Sequence, residues 1–256
     1  MYMTRSRWIF IIVLTVLVLG GLVLASKSSQ ISVSAIDPSQ ILPANPKAGD
    51  TSVAIGDHVI GSPSKKVILI EYGDYQCPSC EGLYPGLKKI TEAYSSQLTF
   101  VFRNFPLVTL HPNALAAATA AEAAGLQGND AYWKMNNWLY DNQASWASSD
   151  ATTRTKVFTS GVASIGLNQA AFTSDLNGDN GAGDKIRTKI KLDQALGGKA
   201  NVTGTPALYL QGKAVDSTIQ GDAVQGSTTL LETAIRTAIT ATGQTVPDTL
   251  VSSAKS

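Results

Sequence analysis

The chain holds only two cysteines, and they stand together in Cys77-Pro78-Ser79-Cys80, at the point where the hydropathy pattern changes from that of a strand to that of a helix. Before them, Lys66-Val67-Ile68-Leu69-Ile70-Glu71-Tyr72 is a nearly continuous apolar run rich in β-branched residues, which suits a central strand covered on both faces. After them, Leu83, Leu87, Ile90 and Tyr94 recur at spacings of four, three and four. Those spacings put them on one face of a helix that begins at the cysteine pair itself. Leu98 to Phe105, dense in aromatic and β-branched residues and ended by Pro106, reads as a second core strand. Strand, helix, strand is the βαβ unit of an α/β protein.

Further along, helical patterns cover Asn113 to Ala124, Ala131 to Asn142, Thr152 to Ile165, Gln169 to Leu176 and Asp184 to Leu196, with Gly and Asn clusters between them. The stretch from about 107 to 198 is too long for a crossover and reads as an inserted helical subdomain. β character returns at Ala207-Leu208-Tyr209-Leu210 and continues, after a turn at Gln211-Gly212-Lys213, through Val215 to Ile219. A helix from about Thr228 to Thr242 closes the domain, which spans 50–243, and the polar tail 244–256 is expected to fray.

The first residues address the compartment. Arg5 and Arg7 precede a run from Trp8 to Ala25 that carries no charge, about the lower limit for a helix that spans a bilayer. Positive charge before the run predicts that the N-terminus stays cytoplasmic and the remainder is exported. Residues 1–26 are thus expected to be a single membrane anchor, with a cleaved signal peptide as the competing reading, because Val23-Leu24-Ala25 resembles a small-residue cleavage site. Residues 27–49, rich in Ser, Pro, Ala and Lys, read as a linker from the membrane to the domain. A formal net charge of +1 without like-charge blocks speaks against a nucleic-acid partner.

The dithiol carries the chemistry. Cys77 falls at a helix N-terminus, where unsatisfied N–H groups and the helix dipole favour a thiolate. It is the expected attacking nucleophile, and Cys80, one turn further in, the resolving thiol. Pro78 and Ser79 tune the stability of that thiolate and with it the reduction potential. A zinc site would need further ligands, and beyond the cysteines the chain offers only His58 and His111. A purely structural disulfide would close a very small loop and yield little stabilisation.

These residues resemble the DsbA-like branch of the thioredoxin superfamily, especially its membrane-anchored bacterial members. The resemblance runs through Gly61-Ser62-Pro63, Glu71-Tyr72-Gly73-Asp74-Tyr75-Gln76-Cys77-Pro78-Ser79-Cys80, Phe102-Arg103-Asn104-Phe105-Pro106-Leu107, His111-Pro112 and Val202-Thr203-Gly204-Thr205-Pro206-Ala207. It implies a thioredoxin-like α/β fold and the exchange of disulfides with exported cysteine-containing proteins, most readily as an oxidase. No cofactor is implied beyond the redox-active disulfide, and no metal. A membrane partner, DsbB-like or VKOR-like, is implied for reoxidation. Pro206 is implied to be a cis-proline facing the dithiol, with Thr205 offering backbone hydrogen bonds to a bound peptide; an ordinary strand-entry turn is the alternative. Glu71 matches the placement of a buried acid that exchanges a proton with the resolving cysteine, against the alternatives of a solvent-exposed glutamate or one paired with Arg103. Pro85 is expected to kink the first helix, His111 to mark a helix boundary, and Trp133, Trp138 and Trp146 to line the core or a groove. One departure is Ser79, where the family's best-known strong oxidant carries histidine. Serine offers only a hydrogen bond, so a milder oxidant, or a reductase or isomerase, stays open, as does a peptide-binding holdase with an inert disulfide.

Overall fold

A computed structural model describes residues 33–43, 55–62, 64 and 67–248. The apolar run of 8–25 and residues 249–256 of the expected tail lie outside the described residues. Among the described residues no helix is long and apolar enough to cross a membrane.

Five strands are described: β1 (Val59–Ile60), β2 (Val67–Gly73), β3 (Leu98–Asn104), β4 (Ala207–Leu210) and β5 (Lys213–Ala214). They form one sheet in the order β1-β3-β2-β4-β5. β2 and β3 run parallel, with Glu71 opposite Phe102 and Tyr72 opposite Arg103. β4 joins the other side of β2 antiparallel. β2 is buried along almost its whole length, as its unbroken apolar run requires, since both faces are covered.

The parallel pair needs a crossover, which is α1 (Pro78–Ala93). Its face of Leu83, Leu87 and Ile90 is buried, and the helix runs through Pro85. Between β3 and β4 lie α2 (Ala114–Gly125), α3 (Asn129–Asp141), α4 (Gln143–Trp146), α5 (Ala151–Ser164), α6 (Gln169–Asn177) and α7 (Ala182–Lys199). One face of the sheet meets α1 and α3: the Phe100 ring packs on Trp133 and the Phe102 ring meets Tyr140 edge-on. On the other face Tyr72 meets Phe105 and Tyr209 edge-on and lies against α7 at Gly197, where a Cβ would sit 3.1 Å from its ring. After β5 come α8 (Ser217–Val224) and α9 (Thr229–Ala241).

Two expectations need correction. No strand runs from Val215 to Ile219: β5 is confined to Lys213–Ala214, because the Asp216 carboxylate accepts the Thr218 N–H at 2.8 Å and starts α8. Residues 33–43 of the expected linker are docked on the domain. The Pro38 and Gln40 carbonyls each accept from the Arg103 guanidinium at 2.6 Å, and Leu42 is buried. Lys199 Nζ donates to the carbonyls of Val33, Ser34 and Ile36. The reason is the demand of a buried guanidinium: five N–H donors exceed what one carboxylate accepts, and the segment supplies the remainder.

Candidate active site

β2 ends at Gly73, where the chain passes so close to its neighbour that a Cβ would fall 2.3 Å from the Phe102 ring. A tight turn follows, closed by the Cys77 N–H on the Asp74 carbonyl at 3.0 Å and by the Gln76 N–H on Asp74 Oδ1 at 2.8 Å. Cys77 is the N-cap of α1 with extended backbone, and Pro78 opens the helix, a position where its missing N–H costs nothing. No side chain caps the first turn, which leaves its N–H groups directed at the Cys77 sulfur.

Both thiols are free, and their environments differ sharply. The Cys77 pKa is lowered from 9.0 to about 5. The Cys80 thiol donates to its sulfur, outweighing burial, and Thr205 and the N–H groups of Cys80 and Ser79 favour the thiolate further. Cys80 is wholly buried and pushed well above 9.0, first by burial, then by its bond to Cys77 and by the nearby Glu71 charge. Pro78 and Ser79, between them, are exposed.

Glu71 is buried on β2, on the α1 face of the sheet. Burial, with the negative charge of Cys77, raises its pKa from 4.5 to about 8. Arg103 does not pair with it: the guanidinium reaches Asp57 Oδ2 at 2.8 Å on the opposite face. Strand alternation dictates this outcome, because Arg103 is in register with Tyr72, whereas Glu71 is in register with Phe102.

The Thr205-Pro206 bond is cis, and it brings the Thr205 carbonyl to 3.4 Å from Cys77 Sγ. Gln220 holds this loop from α8. Its Nε2 donates to the Pro206 carbonyl at 2.8 Å, and its Oε1 accepts the Leu208 N–H at 3.0 Å. Ser79, Thr203, Thr205, Pro206, Gln220 and Val224 line an open groove of about 540 Å³ beside the dithiol. An extended peptide laid there would meet the backbone of the cis-proline loop.

Other side chains also set the cysteine turn. Gln143 of α4 donates to the Tyr75 carbonyl at 2.8 Å and to that of Cys77 at 3.4 Å. Gln76 donates to the Ala147 carbonyl and accepts the Asn113 N–H. Asp74 Oδ2 accepts the Leu107 N–H and lies 2.7 Å from His111 Nδ1. His111 thus steadies the turn, a part its expected role as a helix boundary did not include. Gln143, Gln76 and Asp74 each reach a backbone group 33 or more positions away, a distance no local pattern encodes.

The family model described as Thioredoxin matches residues 53–227. The chain belongs to the thioredoxin family. A Na(+)/H(+) antiporter NhaA 1 of Mycolicibacterium gilvum is 31% identical over 157 residues, covering 61% of this chain but only 24% of that protein. This thioredoxin-family chain therefore spans about a quarter of that relative's length. A probable disulfide bond formation protein D of Bacillus cereus is 26% identical over 160 residues, 60% of this chain and 69% of that one. Among solved structures, a double cysteine-to-alanine variant of alpha-DsbA1 from Wolbachia pipientis superposes with a TM-score of 0.59 at 24% identity, covering 80% of this chain and 96% of that one. The architecture is thus that of the DsbA-type thioredoxin fold, with its helical insertion between β3 and β4.

Proposed function

We propose that this thioredoxin-family enzyme is an extracytoplasmic thiol–disulfide oxidoreductase that oxidises exported proteins through Cys77 and Cys80. The observation that carries the reading is the division of the two sulfurs, Cys77 held as a thiolate with a pKa of about 5 and Cys80 buried well above 9.0. A stabilised thiolate stabilises the reduced form, which makes the disulfide form the stronger oxidant. The name of the Bacillus cereus relative points in the same direction.

In the oxidised enzyme, a client thiolate attacks Cys77 Sγ. The Cys77–Cys80 bond breaks, and Cys80 leaves as a thiolate that takes the Glu71 proton. A second client thiolate then attacks the client sulfur of the mixed disulfide and expels Cys77, whose low pKa makes it a good leaving group. Two electrons pass from the client to the dithiol, so no metal or organic cofactor takes part. A membrane partner of DsbB-like or VKOR-like chemistry would remove those electrons again. Thr205 and Pro206 present the client's cysteine to Cys77 by pairing its backbone along the groove. The uncharged run of 8–25 supports an anchor that keeps the enzyme at the outer side of the membrane.

The test is the redox equilibrium of the full chain in detergent against glutathione, with thiolate absorbance followed in the same sample. A potential well above about −270 mV, the thioredoxin value, together with a Cys77 pKa far below the free value of about 8.5, is expected. A potential near or below that value makes the enzyme a reductase, for which Ser79 in place of histidine is the observation in favour. Retention of client binding and function by Cys77→Ser would move the chain to a holdase.

A further inference from the structure

The groove beside the dithiol continues past the cis-proline loop. Asn201 and Tyr209 line both that groove and a second open cleft of about 500 Å³. One wall of the cleft is Asp37, Pro38 and Ser39 of the docked segment, and the other is Asn201 with Tyr209 of β4 and Lys213 of β5. Asn201 has a left-handed backbone, φ 63°, just past the end of α7, which turns the chain from the helix toward the cis-proline loop. It stands four positions before Thr205, at most about 14 Å away along the chain. An extended peptide paired with Thr205 therefore arrives at the cleft within about five residues.

The wall contributed by the docked segment is fixed along its length. Lys199 Nζ holds the Val33, Ser34 and Ile36 carbonyls at 3.1, 2.8 and 2.6 Å, and Arg103 holds those of Pro38 and Gln40. Beyond them the Asp57 N–H donates to the Leu42 carbonyl at 2.7 Å. The turn between β4 and β5 closes on the segment from the other side, where a Cβ on Gly212 would fall 2.8 Å from that of Ser39. The polar groups of the cleft are largely engaged with one another. The three ammonium donors of Lys199 match three carbonyls, Asp37 Oδ1 accepts the Ser39 N–H and hydroxyl, each at 2.8 Å, and the Tyr209 hydroxyl donates to the Ala200 carbonyl at 2.7 Å. What the cleft offers a ligand is the half-buried surfaces of Pro38 and Tyr209, with the exposed Lys213 at the rim. Such a surface suits an apolar side chain on an extended polypeptide better than a small ion.

On the redox reading above, we propose that the docked segment forms the far half of the client site: the client chain leaves the cis-proline loop, crosses Asn201 and lays an apolar side chain between Pro38 and Tyr209. In extended-peptide recognition the backbone pairing gives affinity and the pockets for side chains give specificity. Thr205 and Pro206 supply the pairing next to the dithiol, and the cleft supplies a pocket four to five residues further along. Lys199 touches neither sulfur nor client and acts by holding the segment in place, so it is a positioning residue.

The experiment traps the client on the full chain in detergent. In Cys80→Ser the resolving thiol is gone, so Cys77 thiolate attacking a peptide whose single cysteine is activated with thionitrobenzoate expels thionitrobenzoate and leaves a stable Cys77–peptide disulfide. Two peptides carry a benzoylphenylalanine about five residues from the cysteine, one before it and one after. On illumination one of the two is expected to cross-link to residues 37–39, to Tyr209 or to Lys213, read by mass spectrometry of the digest. Cross-links from both peptides confined to other residues would overturn the extension of the site. A second measurement uses the resolving chain and reduced client peptides with two cysteines, one peptide carrying an apolar residue at the productive position and the other cut short of it. The longer peptide should be preferred in kcat/KM by about five- to ten-fold, the effect of half-burying one apolar side chain, and Lys199→Met should abolish that preference through KM with kcat kept. An equal rate for both peptides in the wild type, or a preference that survives Lys199→Met, would also overturn it. A chain on which neither peptide formed a Cys77 disulfide would instead overturn the redox reading, a result distinct from a disulfide that forms and cross-links elsewhere.

Discussion

A thiolate held at a pKa of about 5 makes the stability of the reduced protein depend on pH in a way the oxidised protein cannot share. A cysteine whose native pKa is depressed contributes stability that is fully present above its unfolded value, near 9.0, and is lost as pH falls through about 5. At pH 7 the native thiolate is fully ionised and the unfolded thiol is not. Between pH 5 and pH 7 the linkage is bounded at about 2.7 kcal/mol, and water reaching the edge of the sulfur brings this to about 1.5–2.5 kcal/mol. Glu71 works with the opposite sign. Its raised pKa gives stability that is full below 4.5 and lost as pH rises through about 8. Burial is the main cause of that shift, so it acts in both redox forms and largely cancels in their difference. The disulfide's constraint on the unfolded chain adds an offset that does not vary with pH.

The assay is urea unfolding of the oxidised protein, and of the reduced protein under excess reductant, at pH 5, 6 and 7. The reduced-minus-oxidised stability should rise by about 1.5–2.5 kcal/mol from pH 5 to pH 7, equivalent to roughly 30–55 mV of added oxidising strength. A difference flat to within about 0.5 kcal/mol over that range, the scale of scatter between independent measurements, would refute the assignment of Cys77 as the stabilised thiolate.

Glu71→Gln should gain stability relative to the wild type as pH rises from 4.5 to 8, by up to about 3 kcal/mol at pH 7 and by nothing at pH 4, read from the same unfolding curves. Lys189→Met should lose about 3–5 kcal/mol, because Lys189 Nζ stands 2.5 Å from Asp193 Oδ1 and 3.3 Å from Asp57 Oδ1, all three side chains being buried; a loss below about 1 kcal/mol, the worth of an exposed pair, would show those charges to be hydrated. Gly73→Ala forces a Cβ into the Phe102 ring beside Glu71 Oε1 and should cost about 1–3 kcal/mol. It should also shift the pH dependence of exchange, whereas Gly128→Ala, with nothing near its Cβ, should leave that dependence unchanged.

The parts of the fold governed by local periodicity were legible from the residues. The run from Val67 and the spacing of Leu83, Leu87 and Ile90 give β2 and α1 directly, and the helices of the insertion follow to within a few residues. The cysteine turn and the cis-proline loop were legible through the resemblance of their motifs. What failed was whatever depends on a long-range polar demand. Residues 33–43 read as a linker because their composition is that of one; they dock because Arg103, buried by its strand, needs the Pro38 and Gln40 carbonyls. Gln143 and Gln220 are invisible for the same reason, each defined by a distant backbone group.

The two buried acids show why this matters for chemistry. Asp57 and Glu71 are both fully enclosed, and burial alone pushes both pKa values up. At Asp57 the charges of Arg103 and Lys189 outweigh burial and leave the carboxyl at about 2, a permanent anion that serves the structure. At Glu71 no cation answers burial, the Cys77 thiolate adds to it, and the carboxyl rises to about 8, where it exchanges protons near neutrality. The sheet decides which acid receives the arginine. Neighbouring residues of a strand face opposite sides, so a one-residue slip in the pairing of β2 with β3 would bring Arg103 beside Glu71, fix its charge and end its use as a proton carrier. The register of two apolar strands is thus a condition for the acid–base chemistry of the site.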